Sequence, residues 1–148
     1  MTRRIDPADN VVIMCGGGCR GAADVLRALS DRLKAPLIHS VKGKDIMPYD
    51  DPRWMGGIGM IGTKAVYNEA MGCDLLLMVG TDYPYSNFLP SKETIVQVDE
   101  RPQVLGRRAP TVLGVAGSAR PTLKLLLDQV AAKNNTRFWD KVGTTKVG

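Results

Sequence analysis

Six residues near the amino terminus carry the strongest chemical signal in the chain. Gly16-Gly17-Gly18-Cys19-Arg20-Gly21 spells Gly-x-Gly-x-x-Gly between the apolar run Val11-Val12-Ile13-Met14-Cys15 and an amphipathic stretch. Glycines let the backbone turn tightly and let an anion approach the amides, and a helix starting there adds unpaired N–H donors and partial positive charge. In that context the fitting ligand is the diphosphate of a dinucleotide. The same glycines also suit a tight strand-to-helix turn that binds nothing, so the motif alone leaves both readings open. Under the ligand reading, a bulky side chain at Gly18 blocks the diphosphate and leaves the turn formed.

Four further groups lie along the sheet edge where strands end or helices begin. Lys42-Gly43-Lys44 occupies the place where an NAD site carries an acidic residue for the ribose. Its cations suit phosphate oxygens; with Asp45 beside them they also suit a solvated loop. Gly56-Gly57-Ile58-Gly59-Met60-Ile61-Gly62 is a second glycine-rich entry to a helix, and Gly80-Thr81-Asp82-Tyr83-Pro84-Tyr85 follows another apolar run. Asp99-Glu100-Arg101-Pro102 offers carboxylates to ribose or amide groups, or a helix cap. No catalytic residue and no metal ligand set emerges. His39 is the only histidine, and Cys15, Cys19 and Cys73 form no Cys-x-x-Cys pair, so they read as reduced thiols.

The elements that must position these groups follow from hydrophobic period. Short apolar runs predict strands over 11–15, 36–41, 74–79, 94–99 and 111–115, and helical spacing predicts helices over 19–33, 63–71 and 120–133. A turn near 102–106 and a short helix near 136–142 complete the set. Strands alternating with helices predict an α/β domain: a doubly wound, mostly parallel sheet of five or six strands, helices on both faces, Rossmann-like. Residues 1–9 read as an amino-terminal extension, 10–134 as the dinucleotide-binding domain and 135–148 as a short helix and tail. The glycine-bearing stretch 42–62 is longer than an ordinary connection.

Composition agrees. The chain has 148 residues, 44% hydrophobic and 24% charged, the proportions of one globular domain. A net charge of +5 suits an anionic ligand, whereas scattered basic residues and 5% aromatics argue against a nucleic-acid surface. The longest apolar run, Leu75 to Val79, is too short to span a bilayer, and no hydrophobic segment opens the sequence. A cytoplasmic location is expected.

Taken together, Gly16-Gly17-Gly18-Cys19, Lys42-Gly43-Lys44, Gly59-Met60-Ile61-Gly62, Gly80-Thr81-Asp82-Tyr83-Pro84-Tyr85 and Val98-Asp99-Glu100-Arg101-Pro102 resemble, in order and spacing, the central domain of thiamine-diphosphate-dependent pyruvate oxidases and quinone-reducing pyruvate dehydrogenases. The resemblance runs from about Asn10 to Lys141. It implies a domain set between pyrimidine- and diphosphate-binding domains in a homo-oligomeric parent, holding an extended FAD. It places Gly16, Gly18 and Cys19 by the phosphates or ribityl chain, with Lys42, Gly43 and Lys44 near them. Gly59, Met60 and Gly62 would lie along the same chain, Gly80, Thr81 and Tyr85 toward the flavin end, and Asp99 and Glu100 at the adenosine. Gly117 belongs to the adenosine end too; relatives follow it with an acidic residue where this chain has Ser118. Thiamine diphosphate and magnesium would be held by domains absent here, because the sequence has no Gly-Asp-Gly followed by Asn-Asn. The parent reaction implied is oxidation of pyruvate to acetate and carbon dioxide, with this segment inactive by itself. Some related domains hold no flavin, so the alternative is a structural middle domain, packed between its neighbours, of a thiamine-diphosphate-dependent decarboxylase or acetohydroxyacid synthase-like enzyme.

Overall fold

The computed structural model describes residues 1–48, 50–58, 64–82 and 94–134, with the side chains at 64, 65, 67 and 69 left aside. Four helices, α1 (Thr2–Ile5), α2 (Ala23–Leu33), α3 (Lys64–Gly72) and α4 (Ala119–Gln129), accompany six strands. These are β1 (Val11–Cys15), β2 (Leu37–His39), β3 (Trp54–Gly57), β4 (Leu75–Val79), β5 (Ile95–Asp99) and β6 (Thr111–Ala116). They form one sheet in the order β3-β2-β1-β4-β5-β6, every neighbouring pair parallel. This is the doubly wound α/β arrangement, with strand order reversing between β1 and β4.

The central strands β1, β4 and β5 are buried along their whole length, because a parallel sheet is covered on both faces. Alternate residues serve opposite cores. Val11, Ile13, Cys15, Leu75, Leu77 and Val79 pack with Leu26, Leu29 and Leu33 of α2 and Leu123 and Leu126 of α4. Val12, Met14, Leu76 and Met78 pack with Val66 and Ala70 of α3. Each fully buried aliphatic side chain contributes roughly 1.5–3 kcal/mol. That explains why β1 and β4 read as unbroken apolar runs.

Three features differ from the sequence-based expectation. Helix α2 begins at Ala23 rather than near residue 19, since Gly17–Cys19 forms a 3-10 turn and Gly21, at φ +82°, takes the chain out of helical space. Trp54–Gly57 is a sixth strand inside the stretch expected to be a long loop. Its glycines hide it: Gly56 sits at φ +134° beside a register shift against Leu37 and Ile38. Trp54 anchors this edge by stacking on His39, ring centroids 4.7 Å apart. Finally, residues 1–9 contribute Ile5, fully buried, to the core, and Asp6 accepts from the Ala131 N–H at 3.0 Å. The helix expected near 136–142 lies outside the described residues.

Among the described residues no helix is long and apolar enough to cross a membrane.

Candidate functional site

The carboxyl ends of β1, β4, β5 and β6 open onto a crevice at the reversal point, the place where open parallel sheets receive ligands. It has two lobes. The smaller, about 350 Å³, includes Asp99, Glu100 and Gly117; the larger, about 690 Å³, includes Arg20, Ser40, Lys42, Thr81, Asp82 and Arg108. Gly17, Gly18, Gly80 and Arg101 border both.

The glycine motif forms the floor, but most of its amides are spent inside the chain. Gly16 N–H donates to the Val79 carbonyl at 2.9 Å, Gly18 to Gly80 at 3.0 Å, Cys19 to Gly16 at 3.0 Å and Arg20 to Gly17 at 3.3 Å. Of residues 16–20, only Gly17 keeps its N–H without a partner among the described residues. Space tells the same story. A Cβ on Gly16 would lie 2.3 Å from Thr81 Cβ, one on Gly18 2.8 Å from Gly80 Cα, and one on Gly80, itself at φ +64°, 2.7 Å from Gly18 Cα. A side chain at Gly18 therefore meets backbone before it meets any ligand, contrary to the expectation that the turn would tolerate one. At Gly17 the nearest atom to a Cβ is Arg20 Nη1, 3.4 Å away. Gly43 and Gly117 are also packing positions, their Cβ places 2.3 Å from the Cys15 carbonyl oxygen and 2.5 Å from Thr122 Oγ1.

Cys19 is fully buried beneath this floor, and its thiol donates to the Val79 carbonyl at 3.2 Å. Cys15, beside it, is pushed above the ordinary thiol range by its hydrogen bond to Cys19 and by burial. Both face the core.

The charged rim is built from several elements. Arg20 donates to the Lys42 carbonyl at 3.4 Å and pairs with Asp45 at 3.6 Å. Lys42 is exposed and borders the larger lobe, whereas Lys44 is exposed and borders neither. Asp99, 3% exposed, accepts from the Arg101 N–H at 2.9 Å and from Arg101 Nε at 3.2 Å. This carboxylate thus closes a local turn and holds a guanidinium in place. Glu100 beside it is exposed. Asp82 accepts from Arg108 Nε at 3.0 Å and Nη2 at 3.1 Å, and from Arg107. Burial pushes the Asp82 carboxyl up, but the two guanidiniums outweigh it and hold the group below the usual carboxylate range.

The structure therefore brings Gly18, Lys42, Gly80, Thr81, Asp99, Glu100 and Gly117 to one crevice, whereas Gly16, Cys19 and Gly43 are packed within the chain and line neither lobe. Gly59, Met60, Gly62 and Tyr85 lie outside the described residues. Sequence reasoning did not single out Gly17, Arg20, Asp82, Arg101 or Arg108. Four of these stand inside the motifs quoted above. Arg108 gave no signal at all, since its partner is 26 positions away.

Fold and crevice define a doubly wound α/β domain with an open crevice at its carboxyl edge. Comparison with known proteins narrows the class: residues 1–126 match the family described as "Thiamine pyrophosphate enzyme, central domain", and the chain belongs to that family. It is 40% identical over 140 residues to an uncharacterized 42.6 kDa protein of Pseudomonas amyloderamosa, covering 95% of this chain and 35% of that one. To pyruvate oxidase of Lactiplantibacillus plantarum it is 32% identical over 143 residues, covering 94% of this chain and 24% of the oxidase. Other relatives carry the names of a probable 2-ketoarginine decarboxylase and a probable acetolactate synthase large subunit. The chain spans about a quarter to a third of the length of the curated relatives it matches. A solved structure, "X-ray structure of a putative thiamin diphosphate-dependent enzyme isolated from Mycobacterium smegmatis", superposes with a TM-score of 0.74 over 91% of this chain and 27% of that one, at 23% identity. That likeness bears on the fold alone.

Proposed function

We propose that this chain is the FAD-binding central domain of a thiamine-diphosphate-dependent enzyme of the pyruvate oxidase type. The observation that carries the reading is the two-lobed crevice at the strand-order reversal, its larger lobe bordered by Arg20, Lys42, Arg101 and Arg108. Four cations in one cleft suit a diphosphate, and the smaller lobe continues past Glu100 and Gly117 toward space for a nucleoside. When bound, FAD would supply electron transfer to the parent enzyme; this chain's own residues would bind and orient it.

The alternative is a middle domain that packs between catalytic neighbours and holds no flavin. It gains weight from the internally paired amides of the glycine motif and from decarboxylase and synthase names among the relatives. Calorimetric titration with ADP, FAD, NAD and FMN separates the two. The flavin-domain reading expects ADP and FAD to bind with similar, modest affinity, because the flavin ring would be held by neighbouring domains, and NAD no better than ADP. Absence of binding by both ADP and FAD favours the packing domain. Tightest binding by FMN, or by NAD over ADP and FAD together, overturns the site assignment. The chain alone, given thiamine diphosphate, magnesium and FAD, is expected to form no acetate from pyruvate above a blank.

A further inference from the structure

We infer that phosphate in this crevice is read by a guanidinium clamp that Asp82 assembles, and that the clamp fits a nucleoside diphosphate; the inference rests on the nucleotide reading above. Asp82 lies just beyond β4 with its side chain 13% exposed and in the larger lobe. Arg108 meets its two oxygens side on, at 3.0 and 3.1 Å, which fixes the plane of the guanidinium, and Arg107 reaches the same carboxylate. The backbone on both sides is pinned from beneath by one buried residue. Gln97, 3% exposed in the middle of β5, donates through Nε2 to the Thr81 carbonyl at 3.3 Å and accepts through Oε1 from the Gly106 N–H at 2.8 Å. Thr81 adjoins Asp82, and Gly106 adjoins Arg107. A strand-interior glutamine thus ties together the two loops that carry the clamp. Arg101, fastened by Asp99, borders the same lobe from the end of β5. Among the described residues the lobe is lined by the cations Arg20, Lys42, Arg101 and Arg108 and by the carboxylate of Asp82. With the amides of Gly16, Gly18, Cys19 and Arg20 paired inside the chain, side-chain cations are the main donors an anion would find among the described residues.

The sign of one substitution tests this. Asp82 is itself an anion, so if it merely sits nearby, removing its charge strengthens binding of another anion; if it positions Arg108, removal weakens it. The probes are ADP and adenosine, titrated into the 148-residue chain, its variants D82N, R108Q and R108K, and the double variant D82N/R108Q. Each single variant is expected to weaken ADP about tenfold with adenosine unchanged, and the double variant to be no weaker than R108Q alone. R108K is informative if D82N fails to fold, because it keeps the charge and loses the planar fork. Wild-type affinity for ADP in R108K, equal or tighter ADP binding in D82N, or a double variant showing the product of both losses overturns the clamp. A wild-type chain that binds neither probe overturns the nucleotide reading and the clamp with it.

Discussion

The two halves of the crevice are made in different ways. On the β1 side a recognisable glycine motif is locked against the chain's own backbone at Gly80 and Thr81, its amides largely paired. On the β4 to β6 side three arginines, two of them outside any motif, converge on the carboxylates of Asp99 and Asp82. A glycine pattern can therefore be demanded by close packing as much as by a ligand, while the charges that would select an anion arrive from scattered positions.

The largest test of that contrast is steric. Gly16→Val and Gly18→Val should each unfold the domain or lower its stability by several kcal/mol, since both place atoms under 3.0 Å from backbone or Cβ, whereas Gly17→Ala should melt within a few degrees of wild type. Thermal denaturation reads this directly. A Gly18→Val chain that melts normally would break the packing account of the glycine side.

Next in size is a pair of carboxylates. Asp51, 8% exposed, accepts from Arg27 Nε at 2.8 Å and pairs with Arg53, which also clasps Asp31 at 2.8 Å, tying α2 to the entry of β3. Asp51→Asn should cost about 1–3 kcal/mol in urea melts, as expected for a broken hydrogen-bonded pair with partly exposed partners. Asp82→Asn should cost less stability and more ligand affinity. Equal stability losses at both sites would blur the distinction between a structural and a ligand-facing cluster.

Smaller still are the lysines. Lys42→Ala should weaken ADP binding about threefold and flatten its salt dependence, while Lys44→Ala leaves both unchanged. Identical effects at the two positions would show that a diffuse field, not a defined lobe, attracts the anion.

The smallest effect is on acid stability. At Asp51 burial raises the carboxyl, but the Arg53 N–H and the Arg27 and Arg53 side chains lower it further, and at Asp82 the balance is the same. A folded pKa below the unfolded one means stability present above about pH 4 and lost as pH falls through the folded value. Denaturation midpoints measured from pH 5 to pH 2.5 should therefore fall less steeply in Asp51→Asn and Asp82→Asn than in wild type. Parallel curves for all three would contradict the assigned shifts.

Much of the architecture was legible because hydrophobic period survives translation into strands: Val11 to Cys15, Leu75 to Val79 and Ile95 to Asp99 are apolar enough to be recognised as buried. Trp54–Gly57 escaped because two of its four residues are glycine and its pairing to β2 shifts register. The site was legible as a location, since strand ends are visible from sequence. Its donors were not. Pairing of Asp82 with Arg108 and of Gln97 with Gly106 depends on how the loops after β4 and β5 come together around β5, and no spacing rule relates positions so joined.

The mutual approach of Gly18 and Gly80 also constrains how such a domain can change over generations. Neither position can accept a Cβ while the other stays where it is, so no single substitution leads gradually to a differently shaped floor. A different backbone beneath the crevice therefore requires both positions to shift together. Arg20, Lys42, Arg101 and Arg108 stand differently: their side chains can be exchanged one at a time above a floor that stays the same.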